Sequence, residues 1–180
     1  TDGKGFTRVT RGAADVIHAE AIDAKGGWLY YAASPTNATQ RYLFRARLDG
    51  GTSERISPAD QPGWHTYDFS PDAQWAVHTY SSFTTPPVVA LVHLPDHRVV
   101  RVLRDNRKLR EKVAALKQSA AEFLRVDIGG GIELDAWSLS PSASETPRPH
   151  PLLFHVYGEP ASQSVRDAWG GKRGLWHWML

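Results

Sequence analysis

The stretch Ile22-Asp-Ala-Lys-Gly-Gly-Trp28 recurs about 47 residues later as Phe69-Ser-Pro-Asp-Ala-Gln-Trp75. In both copies a turn sequence separates an apolar residue from a tryptophan, and a β-rich run follows, at 29–33 and at 76–80. The match continues beyond these runs: residues 45–48 correspond to 91–94, and residues 54–56 to 100–102. Four short strands per copy at this period are typical of β-propeller blades.

An ordinary antiparallel sandwich is the alternative interpretation of these strands. The two copies match both at the quoted stretches and at the later strands, and this agreement favours propeller blades. Two blades cannot close a propeller by themselves, since natural propellers have about four to eight. The sequence therefore predicts part of a larger propeller.

A helix is predicted over residues 104–118, directly after the second repeat. Asp105 or Asn106 can cap its N-terminus. An apolar stripe at helical spacing runs along one face: Leu109, Val113 and Leu116. The basic residues on the other face are interpreted as a solvated surface.

The pattern changes near residue 119, where a second domain is expected to begin. Alternating apolar positions at 122–128 and 132–139 flank three glycines and predict a β-hairpin. A loop rich in Ser and Pro leads to a continuous apolar run at 152–156, expected to be a strand buried on both faces. Residues 165–180 are expected to form a helix that Gly170 and Gly171 interrupt.

Tyr157 is the strongest candidate for chemistry. It follows the apolar run and opens the turn Tyr157-Gly-Glu-Pro160. In α/β enzymes, ligands and catalytic groups gather in the loops at the ends of buried strands. The sequence therefore indicates a functional loop at this tyrosine.

Three stretches carry a resemblance to the prolyl oligopeptidase family, and most closely to its bacterial dipeptidyl peptidase IV branch. They are Arg101-Val-Leu-Arg-Asp-Asn106, Trp137-Ser-Leu-Ser-Pro141, and Pro151-Leu-Leu-Phe-His-Val-Tyr-Gly-Glu-Pro160 with Ser162-Gln163. The strand-to-tyrosine sequence, in its order after the junction helix, is the most specific of these signals.

The resemblance implies a β-propeller that caps an α/β-hydrolase domain. Residues 1–118 would be the last blades and junction helix, and residues 119–180 the start of the hydrolase domain. It implies a serine peptidase that releases N-terminal dipeptides with Pro or Ala at the second position. The substrate would be a peptide with a free N-terminus, and Tyr157 would donate a hydrogen bond in the oxyanion hole.

Several family features do not occur in these residues. The sequence has no Gly-x-Ser-x-Gly elbow, so the Ser, Asp and His of the triad would lie downstream. The paired glutamates that hold the substrate's amino group would lie upstream. Glu159 stands where many relatives have a small residue, and it is a candidate for substrate binding or for stabilising the turn. A chain with these 180 residues alone is expected to be inactive.

Composition excludes several other classes of function. With no cysteine there is neither a thiol nucleophile nor a thiolate metal site, and a net charge of +2 does not imply nucleic acid. No apolar run approaches the roughly 18 residues of a membrane span. His93 and His97 lie around a proline in strand-and-turn sequence, and no His-Glu-x-x-His motif occurs, so neither a metal nor a cofactor is predicted. His155 is expected to be a structural residue of the buried strand, and His177 to pack in the helix.

Two other interpretations stay open: a non-catalytic propeller-type binding or scaffold protein, and an acyl-aminoacyl peptidase or esterase of the same family. Open blade edges and an uncovered apolar strand predict self-association or a homodimer. The chain begins without Met or a signal-like stretch, and a piece of a periplasmic or secreted bacterial protein is expected.

Overall fold

The computed structural model describes residues 4–10, 12, 14–116, 121–140, 151–156, 158 and 163–179. Two four-stranded antiparallel sheets, each with its strands in sequence order, form the first part of the chain. The first sheet contains β1 (Val16–Asp23), β2 (Trp28–Ala33), β3 (Tyr42–Arg47) and β4 (Ser53–Arg55), and the second contains β5 (Trp64–Phe69), β6 (Trp75–Ser81), β7 (Val88–His93) and β8 (Arg98–Arg104). Helix α1 (Arg107–Ala114), strands β9 (Ala121–Asp127) and β10 (Glu133–Leu139), and helix α2 (Gly171–His177) follow.

The sequence repeat predicts the strand pairing correctly. Ile22 pairs with Leu29 in the first sheet, and Phe69 pairs with Ala76 at the corresponding place in the second. Each quoted stretch therefore closes the first strand of a sheet and opens the second strand. Both sheets have the form of propeller blades and are called the first and second blade below.

The main hydrophobic core lies between the two blades. Tyr30, Leu43 and Ile56 come from the first blade and its C-terminal edge, and they cluster with buried residues of the second blade: Tyr67, Ala73, Ala76, Ala90, Val92 and Leu94. Large apolar and aromatic side chains removed from water supply most of the free energy that holds such layers together. The blades thus pack face to face.

Helix α1 is shorter than predicted, and its apolar stripe is incomplete. Val113 is buried, whereas Leu109 and Leu116 are exposed. Asn106 occupies the N-cap position at a positive φ of 50°, but its side chain donates to the carbonyl of Pro87 at 2.7 Å. The carboxylate of Asp105 instead accepts the N–H of Arg107 at 3.0 Å. Val113 is therefore the one buried apolar side chain that anchors the described helix.

Strands β9 and β10 form the predicted hairpin, with Ala121 paired to Leu139 and Asp127 paired to Glu133. Gly129, Gly130 and Gly131 all have positive φ values, of 88°, 66° and 76°. Only glycine adopts three such conformations in succession without steric cost, so the triple glycine determines this turn.

The prediction of a buried strand at 152–156 is wrong for this structure. These residues form no strand, and their apolar side chains are exposed, Leu152 by 81% and Phe154 by 78%. A buried strand needs neighbouring strands to take up its backbone hydrogen bonds, and no described strand pairs with this segment. Helix α2 begins at Gly171 rather than at residue 165, because the chain from 163 to 169 binds the blades instead. No described helix is long and apolar enough to span a membrane.

Candidate functional site

Tyr157 and Glu159, the two site residues predicted from sequence, lie outside the described residues, so their roles stay predictions. His155, expected in a buried strand, is exposed, and its ring centroid lies 6.2 Å from that of His177. His177 does pack as predicted, edge-on against Trp137 at 5.5 Å.

Residues 163–169 bind to loops of both blades. The side-chain amide of Gln163 donates to the carbonyl of Ala38 at 2.6 Å. Further along, the N–H of Trp169 donates to the hydroxyl of Ser81 at 3.3 Å. Residues 163–169 are called the docking segment below, because these bonds fix them to the β2–β3 connection and to the end of β6.

Asp167 makes the central contacts of the docking segment. Its backbone N–H donates to the carbonyl of Thr39 at 2.7 Å. One carboxylate oxygen accepts the side-chain amide of Gln40 at 2.9 Å, and the other accepts the backbone N–H of Phe83 at 2.8 Å. Since Gln40 belongs to the first blade and Phe83 follows the second strand of the second blade, one carboxylate binds both.

Phe83 also joins the second blade to the later elements. Its ring centroid lies 5.5 Å from that of Phe123 in β9, 5.4 Å from that of Trp137 in β10, and 6.0 Å from that of Trp178 at the end of α2. Tilted and edge-on arrangements at these distances are favourable for aromatic pairs. The hairpin and α2 therefore meet on one residue of the β6–β7 loop.

Two arginines flank Trp64 beside the docking segment. The guanidinium of Arg41 lies 5.9 Å from the ring centroid, and that of Arg166 lies 5.4 Å from it. Arg41 also forms a salt bridge to Glu20 at 2.8 Å, while its buried Nε has no hydrogen-bond partner. The two guanidinium groups therefore lie near the same aromatic ring at the blade ends, and the charge of Arg41 is paired with that of Glu20.

A buried histidine network lies between the blades, and the sequence interpretation missed it. Nδ1 of His65 is 2.9 Å from Nε2 of His78, and Nε2 of His65 is 2.8 Å from the carbonyl of Gln61. His97 Nε2 bonds the hydroxyl of Tyr67 at 2.9 Å, and Tyr67 in turn bonds Ser57 at 3.0 Å. His65 and His78 are 1% and 4% exposed.

The hydrogen bonds fix the tautomers of both buried rings. A carbonyl only accepts, so His65 carries its proton on Nε2, and its Nδ1 must accept the Nε2–H of His78. Burial lowers the pKa of His65 to about 4 and that of His78 to about 3, the latter also through repulsion from His65. Both rings are therefore neutral at pH 7, and the network is structural.

The alternation His65, Tyr67, Phe69 on β5 was the available signal, because it marks one face of a strand. Among the described residues no group of three or more His, Asp or Glu side chains is arranged to hold a metal.

The blades and the segment docked on them define a β-propeller-type chain that holds residues 163–169 at the blade ends. Residues 1–87 match the family described as the dipeptidyl peptidase IV (DPP IV) N-terminal region. The crystal structure of Porphyromonas gingivalis dipeptidyl peptidase 4 superposes with a TM-score of 0.84 at 28% identity, covering 97% of this chain and 24% of that one. The structure of a putative dipeptidyl aminopeptidase IV from Bacteroides ovatus superposes with a TM-score of 0.73 at 19% identity, over 94% of this chain and 24% of that one. At this identity the similarity supports the fold alone.

Relatives in sequence carry matching names. A probable dipeptidyl-aminopeptidase B of Emericella nidulans is 30% identical over 159 residues, which are 87% of this chain and 17% of the relative. One from Tuber melanosporum is 28% identical over 167 residues, 91% of this chain and 18% of the relative. The chain thus spans less than a fifth of the length of these relatives. In sequence and in structure, this stretch of chain is similar to dipeptidyl peptidases of the dipeptidyl peptidase IV type.

Proposed function

We propose that the polypeptide containing this chain is a serine-type dipeptidyl peptidase that releases N-terminal dipeptides with Pro or Ala at the second position. The observation that carries the proposal is the superposition on a bacterial dipeptidyl peptidase 4 over nearly the whole chain, at 28% identity. The docking segment supports it, since residues 163–169, a few positions after Tyr157 in the sequence, are fastened to the blade ends.

The proposed reaction is acyl transfer. A serine attacks the carbonyl carbon of the second residue, a histidine takes the serine's proton and gives it to the amine that leaves as the C–N bond breaks, and an aspartate orients the histidine. Water, deprotonated by the same histidine, then attacks the acyl-enzyme, and the serine regains its proton as the dipeptide is released. These three groups would be supplied by residues outside this stretch of 180. The 180-residue chain alone is accordingly proposed to be inactive.

Tyr157 would stabilise the oxyanion. Attack on the carbonyl places negative charge on its oxygen, and a fixed O–H donor binds that charge more strongly than it binds the neutral carbonyl. Such a donor accelerates the chemical step and leaves substrate binding nearly unchanged.

The test uses the full-length protein, a chromogenic Gly-Pro or Ala-Pro amide with a free amino group, and the same amide acetylated at the N-terminus. We expect cleavage of the free substrate only, and a kcat about 10²–10³ lower for Tyr157→Phe at similar KM. The control is Tyr31→Phe, which removes a hydroxyl bonded to Ser53 in the first blade. Full kcat in Tyr157→Phe would remove the assigned role, and preferential cleavage of the acetylated amide would favour an acyl-aminoacyl peptidase.

A further inference from the structure

We propose that Asp167 is a positioning residue for this peptidase reaction, because its carboxylate ties the docking segment to both blades at once. The inference rests on the proposed function. It assigns to Asp167 no contact with substrate, only the placement of the chain that carries Tyr157.

The geometry makes Asp167 a two-sided anchor. Its two carboxylate oxygens accept from Gln40 and from Phe83, at 2.9 and 2.8 Å. Its N–H donates to Thr39 at 2.7 Å, so that the main chain is fixed as well as the side chain. Hydrogen bonds to an ionised carboxylate are about twice as strong as neutral ones. Two such bonds and one backbone bond at a single residue hold the docking segment against both blades.

The partners on the first blade are themselves held in place. The carboxamide oxygen of Asn37 accepts both the N–H of Thr39, at 3.0 Å, and its hydroxyl, at 2.8 Å. The hydroxyl of Tyr42, a buried residue, donates to the amide oxygen of Gln40. The oxygen of Gln40 is therefore occupied, and its NH₂ group must face Asp167. The atom of residue 167 that faces Gln40 must therefore be a hydrogen-bond acceptor, as the carboxylate oxygen of Asp167 is.

The anchor lies close in sequence to the candidate catalytic residue. Asp167 is ten positions after Tyr157, and Gln163 adds a second attachment between them. A misplacement of about 1 Å at a reacting group can reduce a rate by about 10². Loosening the anchor is therefore expected to lower kcat, with little effect on KM for a small substrate.

A reciprocal substitution in the full-length protein tests this inference. Asp167→Asn turns an NH₂ group towards the NH₂ of Gln40, and Gln40→Glu places two carboxylates together. In the double variant the introduced amide donates to the introduced carboxylate, and its oxygen still accepts from Phe83. The second carboxylate oxygen of the introduced Glu at position 40 still accepts from Tyr42. Every hydrogen bond is therefore restored, and only the donor and acceptor of the pair 40–167 are exchanged. The matched control is Asp68→Asn, because Asp68 is exposed on β5.

We expect kcat to fall about 10- to 100-fold in each single variant and to recover to within about threefold of wild type in the double variant. Hydrogen–deuterium exchange should show residues 163–169 deprotected in the single variants and protected again in the double variant. A merely destabilising effect would not recover in this reciprocal way. Full kcat in Asp167→Asn, or no recovery in the double variant, overturns the inference while the proposed function stands.

Two further outcomes are separable. If Asp167→Asn does not fold, Gln40→Met removes the side-chain bond from the first blade to Asp167, together with the bond from Tyr42 to Gln40, and leaves the backbone bond between Asp167 and Thr39. An unchanged kcat in that variant overturns the inference. A wild-type protein that cleaves no free-amino dipeptide amide refutes the proposed function before any substitution is made, and the positioning role with it.

Discussion

The backbone N–H of Phe83 donates a 2.8 Å hydrogen bond to the carboxylate of Asp167, 84 residues further along the chain. The ring of the same phenylalanine meets aromatic rings of β9, β10 and α2. One loop residue thus combines a directional main-chain bond with non-directional packing. The aromatic packing stabilises the contact of β9, β10 and α2 with the second blade, and the hydrogen bond positions the docking segment on that blade.

Phe83→Ala should separate these two contributions. The variant keeps the backbone bond to Asp167 but loses the contacts with Phe123, Trp137 and Trp178. We expect a loss of about 2 kcal/mol in the free energy of unfolding, below the value for a fully buried ring because Phe83 is partly exposed. Limited proteolysis should cut residues 121–140 faster. Phe6→Ala is the control, since Phe6 is 93% exposed, and equal effects in both variants would contradict the packing role.

Gly63 lies where the backbone before β5 passes close to the end of β6. Its φ is 140°, and a Cβ placed on it would lie 2.5 Å from the carbonyl oxygen of Ser81. Gly63→Ala must move one of these backbones and is expected to cost about 2 kcal/mol or more in urea unfolding. Gly174→Ala is the matched control, because a Cβ there meets nothing within 4 Å, and helix propensity favours alanine. An equal loss in both variants would refute the steric argument.

The blades were predictable from the sequence because each strand pairs with a neighbour a few residues away. Ile22 and Leu29, like Phe69 and Ala76, are joined by a short turn, so the local pattern is enough to determine the register. The triple glycine marks the β9–β10 turn for the same reason.

The docking segment and the histidine network depend on contacts between distant parts of the chain. Asp167 pairs with Phe83, and His97 reaches Tyr67 from the β7–β8 turn at a positive φ of 52°. No local periodicity encodes these pairings. The run at 152–156 failed as a predicted strand because apolar composition indicates burial but does not supply the neighbouring strands that burial requires.

The 180-residue chain by itself is expected to self-associate. Every residue of β8 is exposed, and Val99, Val100, Val102 and Leu103 lie between its arginines. Together with the exposed run at 152–156, this strand offers an unpaired edge and apolar side chains to a second copy. Size-exclusion chromatography with light scattering should give a mass above 20.0 kDa that rises with concentration. The variant Val102→Lys should shift the distribution towards monomer, and a monodisperse monomer of the wild type would contradict the prediction.

Acid should unfold the blades through the buried histidines. The pKa values of His65 and His78 in the folded state, about 4 and about 3, lie below the usual 6.5 because burial disfavours the charged rings. Between pH 6.5 and pH 4 the unfolded chain therefore binds protons that the folded chain does not. The stabilisation is fully present above pH 6.5 and is lost as the pH falls, by about 1.4 kcal/mol per pH unit for each histidine.

The substitution His78→Gln isolates this effect. The glutamine amide can still donate to Nδ1 of His65, but it does not titrate, so one of the two proton-binding sites of the unfolded state is lost. Urea unfolding at pH 7 and pH 5 should show that the variant loses about 2 kcal/mol less than the wild type over this interval. His18→Gln, at an exposed position of β1, is the control for the substitution itself. Equal pH dependence in all three proteins would show that carboxylates, and not the interblade histidines, control unfolding in acid.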